Sequence, residues 1–141
     1  MSETGSRLEV VFFNRQRRRR VNQTRLRRVL EGAAAELGVS GEIVVVLTAD
    51  PPVRALNARY RGQDKPTDVL SFEGLGGAEG LGDVVISVET AARNSRGHGR
   101  TLLQELDLLA LHGFLHVLGH DHEADDGSME RLEKRLRRKL L

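Results

Sequence analysis

VLSFEGLGGAEGLGDVVIS, residues 69 to 87, is the stretch on which the fold turns. Its ends, VLSF (69 to 72) and DVVIS (83 to 87), are short β-rich runs, and the ten residues between them, EGLGGAEGLG, hold five glycines. So short a connection folds the chain back on itself, which predicts an antiparallel pair. Upstream, IVVVLT (43 to 48) is a continuous β-branched run suited to a buried central strand, and LEVVFFN (8 to 14) reads as a first strand. Between those two, Leu26, Val29, Leu30, Ala33 and Leu37 recur at helical spacing until Gly38. Asp50 ahead of Pro51 and Pro52 reads as an N-cap with proline in the first turn, and Val53, Leu56 and Tyr60 carry a short helix towards Gly62.

Downstream, Glu89 to Ser95 suits a short helix, and RGHGR (96 to 100) a linker. Thr101 and Gln104 form a capping box that opens a helix running to Leu118, where Gly119 ends it. Met129, Leu132, Leu136 and Leu140 line one face of a last helix, acidic at its start and basic at its end as the helix dipole favours. The order β-α-β-α-β-β-α-α-α predicts an α+β fold: one mixed sheet of about four strands with helices packed on it and a metal-binding helix near the C-terminus. The 141 residues suit one domain, 1 to 141, with a core large enough to need no staples.

The chain has no cysteine, so any metal must be held by nitrogen or oxygen ligands. The N-terminal segment lacks the basic and apolar regions of a secretory signal, and the apolar run at 43 to 47 is too short to span a bilayer. A soluble, cytoplasmic protein without a membrane partner is expected. Net charge is only +2, yet eight arginines crowd residues 15 to 28, and KRLRRK closes positions 134 to 139. Of 22 basic residues 19 are arginine, the side chain suited to bidentate phosphate contacts, although a solvated helix face accounts for the run equally well.

HGFLHVLGHDH (112 to 122) carries the chemistry. His112 and His116 are four apart on a helix, so their rings share a face, and Gly119 lets the chain turn so that His122 swings back. Three imidazoles with one open position are the ligand set of a catalytic zinc, although imidazole sites also accept other divalent transition metals. His120 competes with His122 as third ligand, but the glycine break favours His122. One histidine alone would read as packing or surface; this spacing does not. The pattern is that of H-E-x-x-H zinc peptidases except that Gly113 stands where the general-base glutamate belongs. Met129 sits on a core face rather than in a methionine turn, and His98 reads as an exposed loop residue. A second polar stretch, NARYRGQDKPTDVLSF (57 to 72), crowds Arg61, Asp64, Lys65, Thr67 and Asp68 into a turn that suits either a functional loop or simple turn chemistry. The glycine loop lacks G-K-[ST] and opens no helix, so it is no P-loop.

Taken together, HGFLHVLGHDH, YRGQDKPTDVLSF and LGDVVIS resemble the YbeY family of rRNA maturation factors, metal-dependent endoribonucleases, from Ile43 to His122. The resemblance implies a single-strand-specific, zinc-dependent endoribonuclease acting in 16S rRNA 3′-end maturation and ribosome quality control. It implies His112, His116 and His122 as zinc ligands, with His116 and Arg61 catalytic and Arg61 engaging RNA phosphate. Implied partners are single-stranded RNA, the small ribosomal subunit and the GTPase Era. His120 stands where the family usually has tyrosine. The general base is unassigned; His120 and Asp121 are near enough in sequence to be considered. The rival readings are an RNA-binding assembly factor with a structural metal, and another metal-dependent hydrolase.

Overall fold

The computed structural model describes residues 7–74, 80–119 and 127–141. The elements follow in the order β1 (Leu8–Asn14), α1 (Gln23–Leu37), β2 (Gly41–Thr48), α2 (Asp50–Arg61), β3 (Val69–Glu73), β4 (Gly80–Ser87), α3 (Val88–Gly97), α4 (Leu102–Val117) and α5 (Ser128–Leu140). The α+β expectation holds. The sheet order is β1-β2-β4-β3, with β1, β2 and β4 parallel and only β3 antiparallel to its neighbour. The two ends of the 69 to 87 stretch do form the antiparallel pair, with Val69 opposite Ile86 and Glu73 opposite Gly82.

Alternation along the strands sorts the helices onto two faces. Ile43, Val45 and Leu47 of β2 and Val84 and Ile86 of β4 pack with α1, α4 and α5 around Leu30, Leu111, Phe114 and Leu136, all fully buried. Val46 and Val85 point the other way, onto Val53 and Leu56 of α2. Local signals set the helix ends as expected. Gly38 (φ 66°) and Gly62 (φ 69°) close α1 and α2 in left-handed conformations, and Thr101 and Gln104 make both bonds of the capping box.

Asp50 departs from the expectation. Ala49, extended, is the residue that caps α2, and Asp50 is already helical. Its carboxylate is drawn sideways to α3, accepting hydrogen bonds from Ser87 Oγ (2.6 Å), Thr90 Oγ1 (2.6 Å) and Arg93 Nη2 (2.7 Å), so it cannot also serve its own helix. Burial pushes the Asp50 carboxyl up, but these three hydrogen bonds and the Arg93 charge outweigh burial and hold it below its ordinary range. A depressed folded-state pKa contributes stability above the unfolded value of about 3.9, and that contribution is lost as pH falls through the folded value. Asp50→Asn should therefore lower stability by roughly 1–3 kcal/mol at neutral pH, with the deficit shrinking in acid. Urea midpoints across the acid range check this; a deficit that stays constant into strong acid counts against the carboxylate network.

Candidate functional site

Helix α4 carries His112 and His116 on one face, one turn apart, with ring centroids separated by 4.5 Å. The Nδ1 of His112 lies 2.8 Å from Glu133 Oε1 on α5. An ionised carboxylate only accepts, so this contact suits a ring that donates from Nδ1, the arrangement by which a carboxylate orients a metal-ligating histidine. No sequence spacing pointed to Glu133, because the pairing depends on how α5 docks against α4. Beyond Val117 the chain leaves the helix through Leu118, and Gly119 takes a positive φ of 95° as expected. His122, with its rival His120 and with Asp121, lies outside the described residues. Among the described residues no three or more His, Cys, Asp or Glu side chains are gathered for a metal. The two histidines that are described nevertheless fit one, with their donors on one face and a carboxylate behind the first ring.

Gly113 lies fully against the sheet. A Cβ there would stand 2.6 Å from Val84 Cγ1, 3.2 Å from Ser71 Oγ and 3.2 Å from Val69 Cγ2. The position therefore faces β3 and β4 and has no room for a side chain. The glycine that separates this helix from the peptidase pattern is a point of close approach between helix and sheet.

The polar turn after α2 is locked by its own bonds. Asn57 Nδ2 donates to Lys65 O (2.8 Å), and Ser87 N donates to Asp68 O (2.9 Å). Asp64 pairs with Arg54 through Nε (2.8 Å) and Nη2 (3.3 Å), and that hydrogen bond, aided by the guanidinium charge, holds its carboxyl below the ordinary range. Thr67 Oγ1 contacts Asp68 Oδ1. Arg61 pairs with no carboxylate there; its Nη2 donates to Ser71 O on β3 at 3.1 Å. Ser71 also donates from Oγ to Gly113 O at 2.9 Å. One strand residue thus ties Arg61 on one side to the turn between His112 and His116 on the other. Sequence reasoning named both segments but not Ser71, which sits inside an ordinary strand pattern. His98, expected as an exposed loop residue, is exposed just beyond α3, caps its end and reaches Glu105 Oε1 (3.2 Å), which Arg100 also contacts (3.1 Å). No helix among the described residues is long and apolar enough to cross a membrane.

Residues 7–141 match the family model described as endoribonuclease YbeY. The chain is 41% identical over 138 residues to an endoribonuclease YbeY of Geobacter metallireducens, covering 92% of each chain. It is 46% identical over 119 residues to an endoribonuclease YbeY of Moorella thermoacetica, covering 74% of this chain and 76% of the relative. Among solved structures it is similar to a Thermotoga maritima protein determined in solution, with a TM-score of 0.62 and 26% identity over 94% of this chain and 88% of the other.

Proposed function

The chain belongs to the YbeY family of endoribonucleases, hydrolases of RNA phosphodiester bonds, and from that premise we propose that it cleaves single-stranded RNA at His112, His116, His122 and Arg61 in maturing the 3′ end of 16S rRNA. The observation that carries this reading is the Ser71 bridge, which couples Arg61 to the histidine-bearing turn of α4. His112, His116 and His122 would hold a zinc ion, with another divalent transition metal as the alternative, and Glu133 would fix the ring of His112. A zinc ion so held supplies Lewis-acid polarisation of a phosphoryl oxygen and activation of a water.

Arg61 engages one of its five donors with the Ser71 carbonyl, which fixes the guanidinium at the edge of β3. The remaining donors suit a phosphate and the charge that develops on it in the transition state. Of the groups near the turn, Asp64 is a poor candidate for a base because Arg54 lowers its proton affinity and occupies both of its oxygens. Ribosome quality control, with the small ribosomal subunit and the GTPase Era as partners, belongs to the same proposal.

The test follows labelled single-stranded RNA with wild type, Arg61→Lys and Arg61→Glu, each with and without chelator. Loss of one transition-state donor of this kind costs about 10²–10³-fold in rate, so Arg61→Glu should fall by at least that much. Arg61→Lys should recover only part, because an ammonium lacks the planar fork. Wild-type rates in Arg61→Glu would remove Arg61 from the site, and chelator-insensitive cutting would remove the metal.

A further inference from the structure

The arginine run at residues 15 to 28 is divided by the fold into two sets. Two helix arginines bind inward, while Arg28 is exposed: Arg25 pairs with buried Asp107, and Arg27 donates to Val10 O (2.7 Å) while lying over the Phe12 ring. The loop arginines do the opposite. Arg15, Arg17, Arg18 and Arg19 line a groove of about 530 Å³ together with Arg93 and Arg96 of α3.

The position of this groove matters as much as its charge. Its lining includes Ala49, Pro51 and Val88, where the chain leaves β2 and β4, and the loop leaving β1. It is therefore the crevice beyond the carboxyl ends of the three parallel strands. Here α1 departs to one face of the sheet and α2 to the other, which makes it a topological switch point, the place where open α/β sheets bind ligands.

The loop is also built rather than loose. Gln16 Nε2 donates to Asn14 Oδ1 (3.1 Å) and to Arg19 O (3.0 Å), its Oε1 accepts from Arg19 N (3.0 Å), and Arg15 N donates to Leu47 O (2.7 Å). Two carboxylates answer the six cations: Asp50 pairs with Arg93, and Glu89 stands 3.9 Å from Arg18. Like charges gathered in one crevice repel each other, and a bound polyanion converts that repulsion into attraction.

We propose that this groove holds the phosphodiester backbone of single-stranded RNA as a second site, apart from the histidines. Gly113, between the two histidines, faces Val84 of β4, whereas the groove opens beyond Ser87 at the carboxyl end of that strand. Three residues of strand, roughly 10 Å, separate the two levels, so a strand of several nucleotides reaches both. The proposal takes RNA as the ligand from the family's activity, but it does not depend on which residues cut.

The test uses the triple variant Arg17→Gln, Arg18→Gln, Arg96→Gln in the full chain. Its melting temperature should match wild type, because none of the three makes a buried bond. Binding of a long labelled single-stranded RNA, kept intact as checked on a gel, is followed by anisotropy over a salt series. Affinity should drop roughly tenfold, and the slope of log affinity against log salt should flatten by about 2, near 0.7 for each phosphate that is no longer neutralised. An unchanged slope and affinity overturn the second site. Displacement of the RNA by inorganic phosphate or a nucleoside monophosphate at sub-millimolar concentration overturns it in favour of a small phosphate pocket. Loss of polyglutamate binding without loss of RNA binding overturns it in favour of an acidic protein. A His116→Ala protein that cuts normally would sink the catalytic assignment while leaving this slope measurement untouched.

Discussion

His116→Ala should retain its fold and lose both its metal and its RNA cleavage, with the rate falling by about three orders of magnitude. The size follows from the several kcal/mol that a Lewis acid contributes to a phosphoryl transition state, at about 1.4 kcal/mol per tenfold. The fold should survive because alanine is the best helix former and the histidine lies only half-buried in the last turn of α4. Metal content of the purified protein, its melting curve in chelator and its single-turnover rate on single-stranded RNA together check the expectation. His122→Ala should behave like His116→Ala, and His120→Ala should keep metal and rate. Reversal of the last two would make His120 the third ligand. A His116→Ala protein that retains metal and full rate would end the histidine reading altogether.

Gly113→Glu, which restores the peptidase pattern on paper, should unfold the protein instead of creating a protease. A Cβ at this position already overlaps Val84 Cγ1 at 2.6 Å, and Val84 is itself fully buried. Alanine isolates that clash. It gains about 1 kcal/mol of helix propensity over glycine and loses about 1–3 kcal/mol to overpacking, so Gly113→Ala should be less stable by up to about 2 kcal/mol. Glutamate adds a buried carboxylate with no partner between α4 and the β3–β4 pair, a cost of several kcal/mol against a total stability of about 5–15 kcal/mol. Urea unfolding of Gly113→Ala and the yield of folded Gly113→Glu read both effects. A glutamate variant as stable as wild type would mean that the helix can lift off the sheet. Peptidase activity in it would then be worth measuring.

The same contact explains why the histidine stretch resembled a peptidase and yet differs from one. Ligand spacing at i and i+4 is a property of the helix itself, so it was readable from residues 112 and 116 alone. What position 113 faces is a property of the packing. The helix face next to the histidines is pressed onto β3 and β4, and that closeness lets Ser71 reach Gly113 O with its hydroxyl while its carbonyl accepts from Arg61.

The sequence by itself determined the order and type of the elements, the helix stops at Gly38 and Gly62, the capping box at Thr101, the antiparallel strand pair within residues 69 to 87 and the pairing of two histidines on one helical face. Each of these depends on periodicity or on the conformation of a residue near its own neighbours, which are local in the chain. Tertiary structure alone decided that β4 lies between β2 and β3, that Asp50 serves α3 and not its own helix, and that Glu133 stands behind His112 from 21 residues away. It also decided that part of one arginine run anchors to the interior while another part lines an open groove. Those outcomes depend on which side chains the packed sheet and helices bring together, and contacts between residues distant in the chain leave no spacing signal in it.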